Sequence, residues 1–165
     1  MSKAIPPERP VNPAFHFQPV TSADFPLLLA WLQRPHVKRW WNDDDDTLEK
    51  VARYYDDQAH SKRFIVYQLD RPIGYIQYYV EEDETIGIDI FIGEEALTGR
   101  GVGPALMQAF IDLLIEWHQP QALIIDPDPA NVRAIRCYEK VGFRHYETVV
   151  TAMGKRAYMM RLECN

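Results

Sequence analysis

Ile86, Ile88, Ile90 and Ile92 occupy every second position of the run TIGIDIFIG, with Gly87, Asp89 and Phe91 between them. A period of two puts the isoleucines on one face of an extended strand and the aspartate on the other. The same logic reads FHFQPV (Phe15 to Val20) as a first strand. RFIVYQL, the turn Asp70-Arg71-Pro72 and IGYIQYYV read as a strand–turn–strand hairpin. Elsewhere the period lengthens. From Pro104 to Trp117 the only polar positions before the end are Gln108, Asp112 and Glu116, four apart, which predicts a nearly buried helix with one narrow wet stripe. TSADFPLLLAWLQRP predicts a helix capped by Thr21 or Ser22 and stopped before Pro35, and a second helix is expected from Asp46 through Ala59. QALIID is a fifth strand, and PANVRAIRCYEKVGF a shorter helix closed by Gly142. HYETVVTA and RAYMMRLE, joined around Met153-Gly154-Lys155, make a closing hairpin. The sum is an α+β sheet sandwich without repeats or internal linkers.

Three of the eight glycines stand in ALTGRGVGPAL, between the isoleucine strand and the buried helix. A loop that leaves a strand and enters a helix aims several backbone N–H groups at one point, and the helix dipole adds positive potential there. Gly99, Gly101 and Gly103 lack the β-carbons that would hold a phosphate away from the backbone. Pro104 suits the first helical turn, where its missing N–H breaks no bond, and Arg100 adds a charge. Two readings stand at this point: an anion cradle, or a turn that merely needs positive φ angles. A Walker loop is excluded because Pro-Ala-Leu follows Gly103 where Lys-Ser/Thr is required. A dinucleotide fold is excluded because the loop lies past the midpoint and after a hairpin.

Composition narrows the partners. At 165 residues with 47% apolar positions, the chain can bury its own core as one domain spanning 14–165, behind a proline-rich, flexible arm over 1–13. The net charge of −6 argues against nucleic acid, and no apolar run is long enough to cross a bilayer. Acidic residues gather at Asn42 to Asp46 and Glu81 to Glu84, read either as solvated loops or as a rim that attracts a small polycation. Cys137 and Cys164 fit neither metal-ligand spacing nor a disulfide framework, so a reducing cytoplasm is expected. His36, His60 and His118 have no ligand spacing, and no metal is expected.

The strand IDIFIG, the loop GRGVG, the strand LIIDPDP and the helix NVRAIRCYEKVGF together resemble the acetyl-CoA core of the GNAT N-acyltransferases. WLQRPHVKRWW and RPIGYIQYYV extend the resemblance toward the aminoglycoside 6'-N-acetyltransferases. One departure stands out: Thr98 occupies the place where the superfamily loop usually begins with Gln or Arg, which implies a slightly rearranged first pyrophosphate contact.

The resemblance implies a GNAT fold: a central mixed, mostly antiparallel sheet whose central parallel strands splay apart, with helices on both faces. The cofactor's pantetheine arm would enter the splay and bond to the backbone of Phe91 and Ile92. Its pyrophosphate would sit on the loop from Thr98, Gly99, Arg100, Gly101, Val102 and Gly103 to Pro104. Asn131 would reach the cofactor arm, although an Asn there also reads as a helix cap. Asp89 matches the position that accepts the proton of the attacking amine, and Asp126 one that holds amino-sugar amines. A carboxylate set in an apolar strand is costly unless paired, and a second one beside it raises the proton affinity of the pair. Tyr138 matches the residue that serves the leaving thiolate. Trp41 and Tyr55 belong to the N-terminal half, which in this family builds the acceptor pocket, and their rings suit the C–H faces of sugars.

The expected activity is transfer of acetyl from acetyl-CoA to the 6'-amine of an aminoglycoside, directly within a ternary complex, by a monomer or homodimer. The closing hairpin, through Tyr158 and Met159, is a candidate interface. Two alternatives remain. One keeps the chemistry with another amine, a polyamine or a hydroxylysine-type siderophore precursor. The other is a non-catalytic CoA-binding module, against which Asp89 and Tyr138 argue.

Overall fold

The structure, a computed structural model, describes residues 15–41, 45–56, 59–81 and 83–164. The expected arm over 1–13 and most of the acidic run Asn42 to Asp46 lie outside the described residues. Among the described residues, seven strands form one sheet: β1 (Phe15–Pro19), β2 (Lys62–Gln68), β3 (Arg71–Val80), β4 (Thr85–Ile92), β5 (Ala122–Ile125), β6 (Arg144–Val150) and β7 (Arg156–Glu163). Their order is β1-β2-β3-β4-β5-β7-β6. β4 and β5 run parallel, whereas β1–β2, β2–β3, β5–β7 and β6–β7 are antiparallel. The mixed, mostly antiparallel sheet that the resemblance implies is therefore present.

The described chain forms two compact units. The glycine-loop unit comprises Val80–Asp89 and residues 99–164. Its helix α4 (Val102–His118) buries Leu106, Met107, Ala109, Phe110, Ile111, Leu113, Leu114 and Trp117, and each large apolar side chain contributes about 1.5–3 kcal/mol by leaving water. The wet stripe lies where expected, with Gln108 Nε2 donating to Asp112 Oδ1 at 2.9 Å. Helix α5 (Val132–Lys140) opens on Asn131, whose Oδ1 accepts from the Ala134 N–H at 3.3 Å. Past its end Gly142 adopts φ +112°, which a side chain would strain.

The aromatic unit holds residues 15–79 and Ile90–Thr98. Helix α1 (Phe25–Leu32) begins later than the sequence suggests, because Ser22–Asp24 form a 3₁₀ turn braced by the Thr21 N–H donating to Asp24 Oδ2 at 2.8 Å. Phe25, Leu28, Trp31 and Leu32 pack into a core with Val51, Tyr55, Ile65, Tyr75 and Phe91. A short helix, α2 (Pro35–Lys38), follows without having been foreseen. Pro35 opens it instead of only stopping α1, since Arg34 takes the extended conformation required before proline. Helix α3 (Leu48–Tyr55) starts later than expected because Thr47 caps it, its hydroxyl accepting from the Lys50 N–H at 3.2 Å.

Candidate active site

The parallel ladder between β4 and β5 is short. It runs from Thr85↔Ala122 through Ile86↔Leu123 to Gly87↔Ile124 and ends there, although β4 continues to Ile92. Two residues past the last rung stand Asp89 on β4 and Asp126 just beyond β5. Both are separated from Gly87↔Ile124 by an even step, so both side chains leave the same face of the sheet. Their fields meet. Asp126 has its pKa pushed up to about 6, first by the protein mass around it and then by the negative charge of Asp89. The Asp126 side chain is at the same time exposed to solvent.

Tyr138 arrives from α5. Its ring packs edge-on against Phe143, at 6.3 Å between centroids, and is buried. Burial raises its pKa above the usual phenol range, with further contributions from Cys137, Asp89 and Asp126. The hydroxyl therefore remains proton-bearing and lies in the electrostatic field of both carboxylates. The neighbouring Cys137 is pushed by burial to about 11, which keeps it a thiol.

In the glycine loop, Gly99 and Gly101 adopt φ +76° and +80°, the left-handed region. A β-carbon on Gly101 would meet no atom within 4 Å, so its outer side is open. The first intrahelical bond of α4 is Ala105 N–H to Gly101 O at 3.4 Å, which leaves the N–H groups of Val102 and Gly103 ahead of it without a helical acceptor. Pro104 lies in that first turn as expected. Arg100 is exposed on the loop, and the Arg133 guanidinium lies 3.9 Å from where a Gly99 β-carbon would stand. Sequence reasoning missed Arg133. Its place two residues after Asn131, on the first turn of α5, was the available signal.

The remaining candidates lie in the aromatic unit. Phe91 is buried between Trp31, Trp41 and Tyr75, with ring centroids 6.1, 5.1 and 5.4 Å away. The Ile92 carbonyl accepts from His36 Nε2 at 2.9 Å, which fixes that tautomer. The adjoining Gly93 carbonyl accepts from Arg34 Nη1 at 2.7 Å, and Glu94 pairs with Arg34 and Arg71 at 3.1 and 3.7 Å. The end of β4 is thus clamped by the α1–α2 elbow, a contact across 56 residues that no local pattern reveals. The Thr98 hydroxyl donates to Glu95 O at 2.7 Å, closing a 3₁₀ turn over Glu95–Leu97.

Trp41 is partly buried and meets Tyr75 edge-on at 5.8 Å. Tyr55, chosen from the sequence for an acceptor wall, is wholly buried against Tyr54 and Tyr75 at 4.8 and 5.2 Å. Arg63 sits over both Tyr54 and Tyr55 and donates to the Tyr75 hydroxyl at 3.0 Å. Tyr158 and Met159 of the closing hairpin are half-buried, not exposed. Among the described residues no helix is long and apolar enough to cross a membrane.

The chain is similar to known proteins. The family described as Acetyltransferase (GNAT) domain matches residues 20–151. An aminoglycoside N(6')-acetyltransferase type 1 of Klebsiella pneumoniae is 34% identical over 160 residues, covering 86% of this chain and 80% of its own length. The crystal structure of aminoglycoside acetyltransferase AAC(6')-Ib in complex with coenzyme A and kanamycin superimposes with a TM-score of 0.82 at 32% identity, over 91% of this chain and 95% of that one. An N-hydroxyputrescine acetyltransferase of Acinetobacter baumannii is 24% identical over 132 residues, covering 72% of this chain and 61% of its own length. With a ladder that ends short of two convergent carboxylates and a family match across most of its length, this chain belongs to the GNAT acetyltransferases.

Proposed function

We propose that the protein transfers acetyl from acetyl-CoA to the 6'-amine of aminoglycosides, directly and within a ternary complex. The convergence of Asp89, Asp126 and Tyr138 at the end of the β4–β5 ladder carries this reading. The 34% identical relative and the kanamycin-bound neighbour support the choice of acceptor. Asp126 holds an ammonium of the acceptor. Asp89 takes one proton from the reacting ammonium, leaving a lone pair that attacks the thioester carbonyl. A C–N bond forms, the C–S bond breaks, and the nitrogen loses its second proton as sulfur gains one. Tyr138 supplies the hydrogen bond that stabilises the departing thiolate. Cys137, held as a thiol by burial, is unsuited to carry the acyl group, which favours direct transfer.

On the donor side, the open N–H groups of Val102 and Gly103, with Gly99, Arg100 and Gly101, cradle the pyrophosphate. Thr98 and Pro104 shape the two ends of that cradle. The backbone of Phe91 and Ile92 receives the pantetheine arm; the clamp on the Ile92 carbonyl leaves that residue's N–H for the task. Asn131 offers its side-chain NH₂, since the helix cap uses only its oxygen. Trp41 supplies an acceptor-side ring, with Tyr55 acting from behind. Release of CoA thiol with kanamycin and with spermidine is the direct test. Turnover is expected with kanamycin and not with an aminoglycoside that carries a 6'-hydroxyl. Turnover restricted to small N-hydroxylated amines would favour the second reading, which the Acinetobacter relative supports.

The elevated pKa of Asp126 sets a pH dependence. Its carboxylate binds the ammonium and its acid form does not, so kcat/KM for the acceptor rises with pH up to about 6 and then levels off. In Asp126→Asn that limb disappears from the profile. Stability moves the opposite way: a carboxyl raised in the folded state favours folding at low pH, and that contribution fades between about 4 and 6.

A further inference from the structure

The face of β5, β7 and β6 that carries Asp126 holds more than the chemistry above uses. β5 pairs with β7 through Ile125↔Met160, and β6 pairs with β7 through His145↔Met160 and then Glu147↔Met159. Alternation places Ile125, Met160 and His145 on one face and Asp126 and Met159 on the other. Between His145 and Glu147 the β6–β7 register slips by one residue, and Tyr146 is the residue added. Tyr146 and Glu147 thus stand together opposite Met159, on the Asp126 face, where a regular strand would offer one side chain. Contacts on the other face agree. His145 stacks on Tyr158 at 3.9 Å, and its Nε2 lies 2.9 Å from Thr148 Oγ1.

Tyr146 is 46% exposed. Partial burial and the charge of Glu147 raise its pKa, with Asp126 and Asp83 adding to the rise and Arg161 opposing it. Its hydroxyl therefore lies in the same field as Asp126. Arg161, one of two guanidinium groups on this face, is engaged by Glu163, its Nε donating to Oε1 at 2.6 Å. Asp83, Asp126 and Glu147 act on the ring, and Arg144, opposite Arg161 on the same face, turns its guanidinium to the Glu139 and Phe143 carbonyls, so the surface is an aromatic shelf with a mostly anionic border. Saturated rings bearing several ammonium groups fit such a shelf, C–H face on the phenol and charges toward the carboxylates.

We propose that Tyr146, raised by the bulge, is a specificity-determining residue: a second ring of the polycationic acceptor stacks on it while Asp126 holds the ring that reacts. This rests on the aminoglycoside reading. Asp89 and Tyr138 act on the bond being made, whereas Tyr146 recognises a part of the acceptor remote from it.

Steady-state kinetics with kanamycin and with a single-ring 6-amino-6-deoxyhexose test the proposal. Tyr146→Ala is expected to raise KM for kanamycin about tenfold, the order of a stacking contact worth about 1.4 kcal/mol. The loss should appear in that KM and not in kcat, in the KM for acetyl-CoA or in the KM for the single-ring amine. Tyr146→Phe, which keeps the ring, should recover most of the affinity. Equal shifts for both acceptors, or none, overturn the proposal. If the wild-type protein acetylates no aminoglycoside, the reading beneath it fails; if it does and Tyr146→Ala leaves kanamycin unaffected, only the role of Tyr146 fails.

Discussion

Asp89→Asn lowers kcat on kanamycin by about 10²- to 10⁴-fold, the range over which a positioned general base acts. Asparagine keeps the size of the side chain and its hydrogen-bonding oxygen, so the strand and the mouth of the ladder stay as they are. What disappears is the proton acceptor. The loss should shrink as pH rises, because more of the acceptor amine then arrives already neutral from solvent. It should also shrink for an acceptor whose amine has an unusually low pKa. KM for acetyl-CoA, set at the glycine loop, should stay within about twofold. A kcat that does not move across pH 6 to 9 would remove Asp89 from the chemistry and leave Asp126 as the sole acid in play.

The largest loss of stability is expected from a single methyl group. Gly93 follows β4 directly, and a β-carbon there would fall inside the space of the Trp31 indole, which is fully buried. The indole is hemmed in by Phe91 at 6.1 Å and by the rest of the α1 core, and the Gly93 carbonyl is tied to Arg34. Neither partner can move alone. Gly93→Ala should therefore cost about 3 kcal/mol, the upper end for an overpacked core, and lower Tm by roughly 10 °C. Urea unfolding measures the first and thermal melting the second. Adding Trp31→Phe to Gly93→Ala should return part of the loss by making room. Unchanged melting in the single variant would mean that the elbow and β4 are not locked together as described.

Much of this architecture was legible because it repeats. The isoleucines of β4 and the wet stripe of α4 are periodic, and period alone identifies a strand or a helix. Pro35 was ambiguous, since proline both ends one helix and opens the next. The β6 bulge at Tyr146 carries no glycine or proline to announce it. The site divides in the same way. Gly99, Gly101 and Gly103 declare themselves by what they lack. Asp89 and Asp126 stand out as carboxylates in apolar strands, but their convergence depends on the β4–β5 register, which no single strand encodes. Tyr55 shows the opposite limit: an aromatic ring near a site and one in a core look the same in a sequence, and burial alone tells them apart. His36 and Arg34 escaped because they act on main-chain oxygens far along the chain.

The early parting of β4 and β5 after Gly87↔Ile124 has a consequence for how such a protein can change. On the function proposed above, what enters beyond that last rung is chosen by the spacing of peptide groups. A guest bearing amides at intervals would then be accepted whatever residues surround the opening. Side chains nearby are left free to vary, and with them the taste for one amine over another. Donor choice is inherited with the fold; acceptor choice can be rewritten one residue at a time.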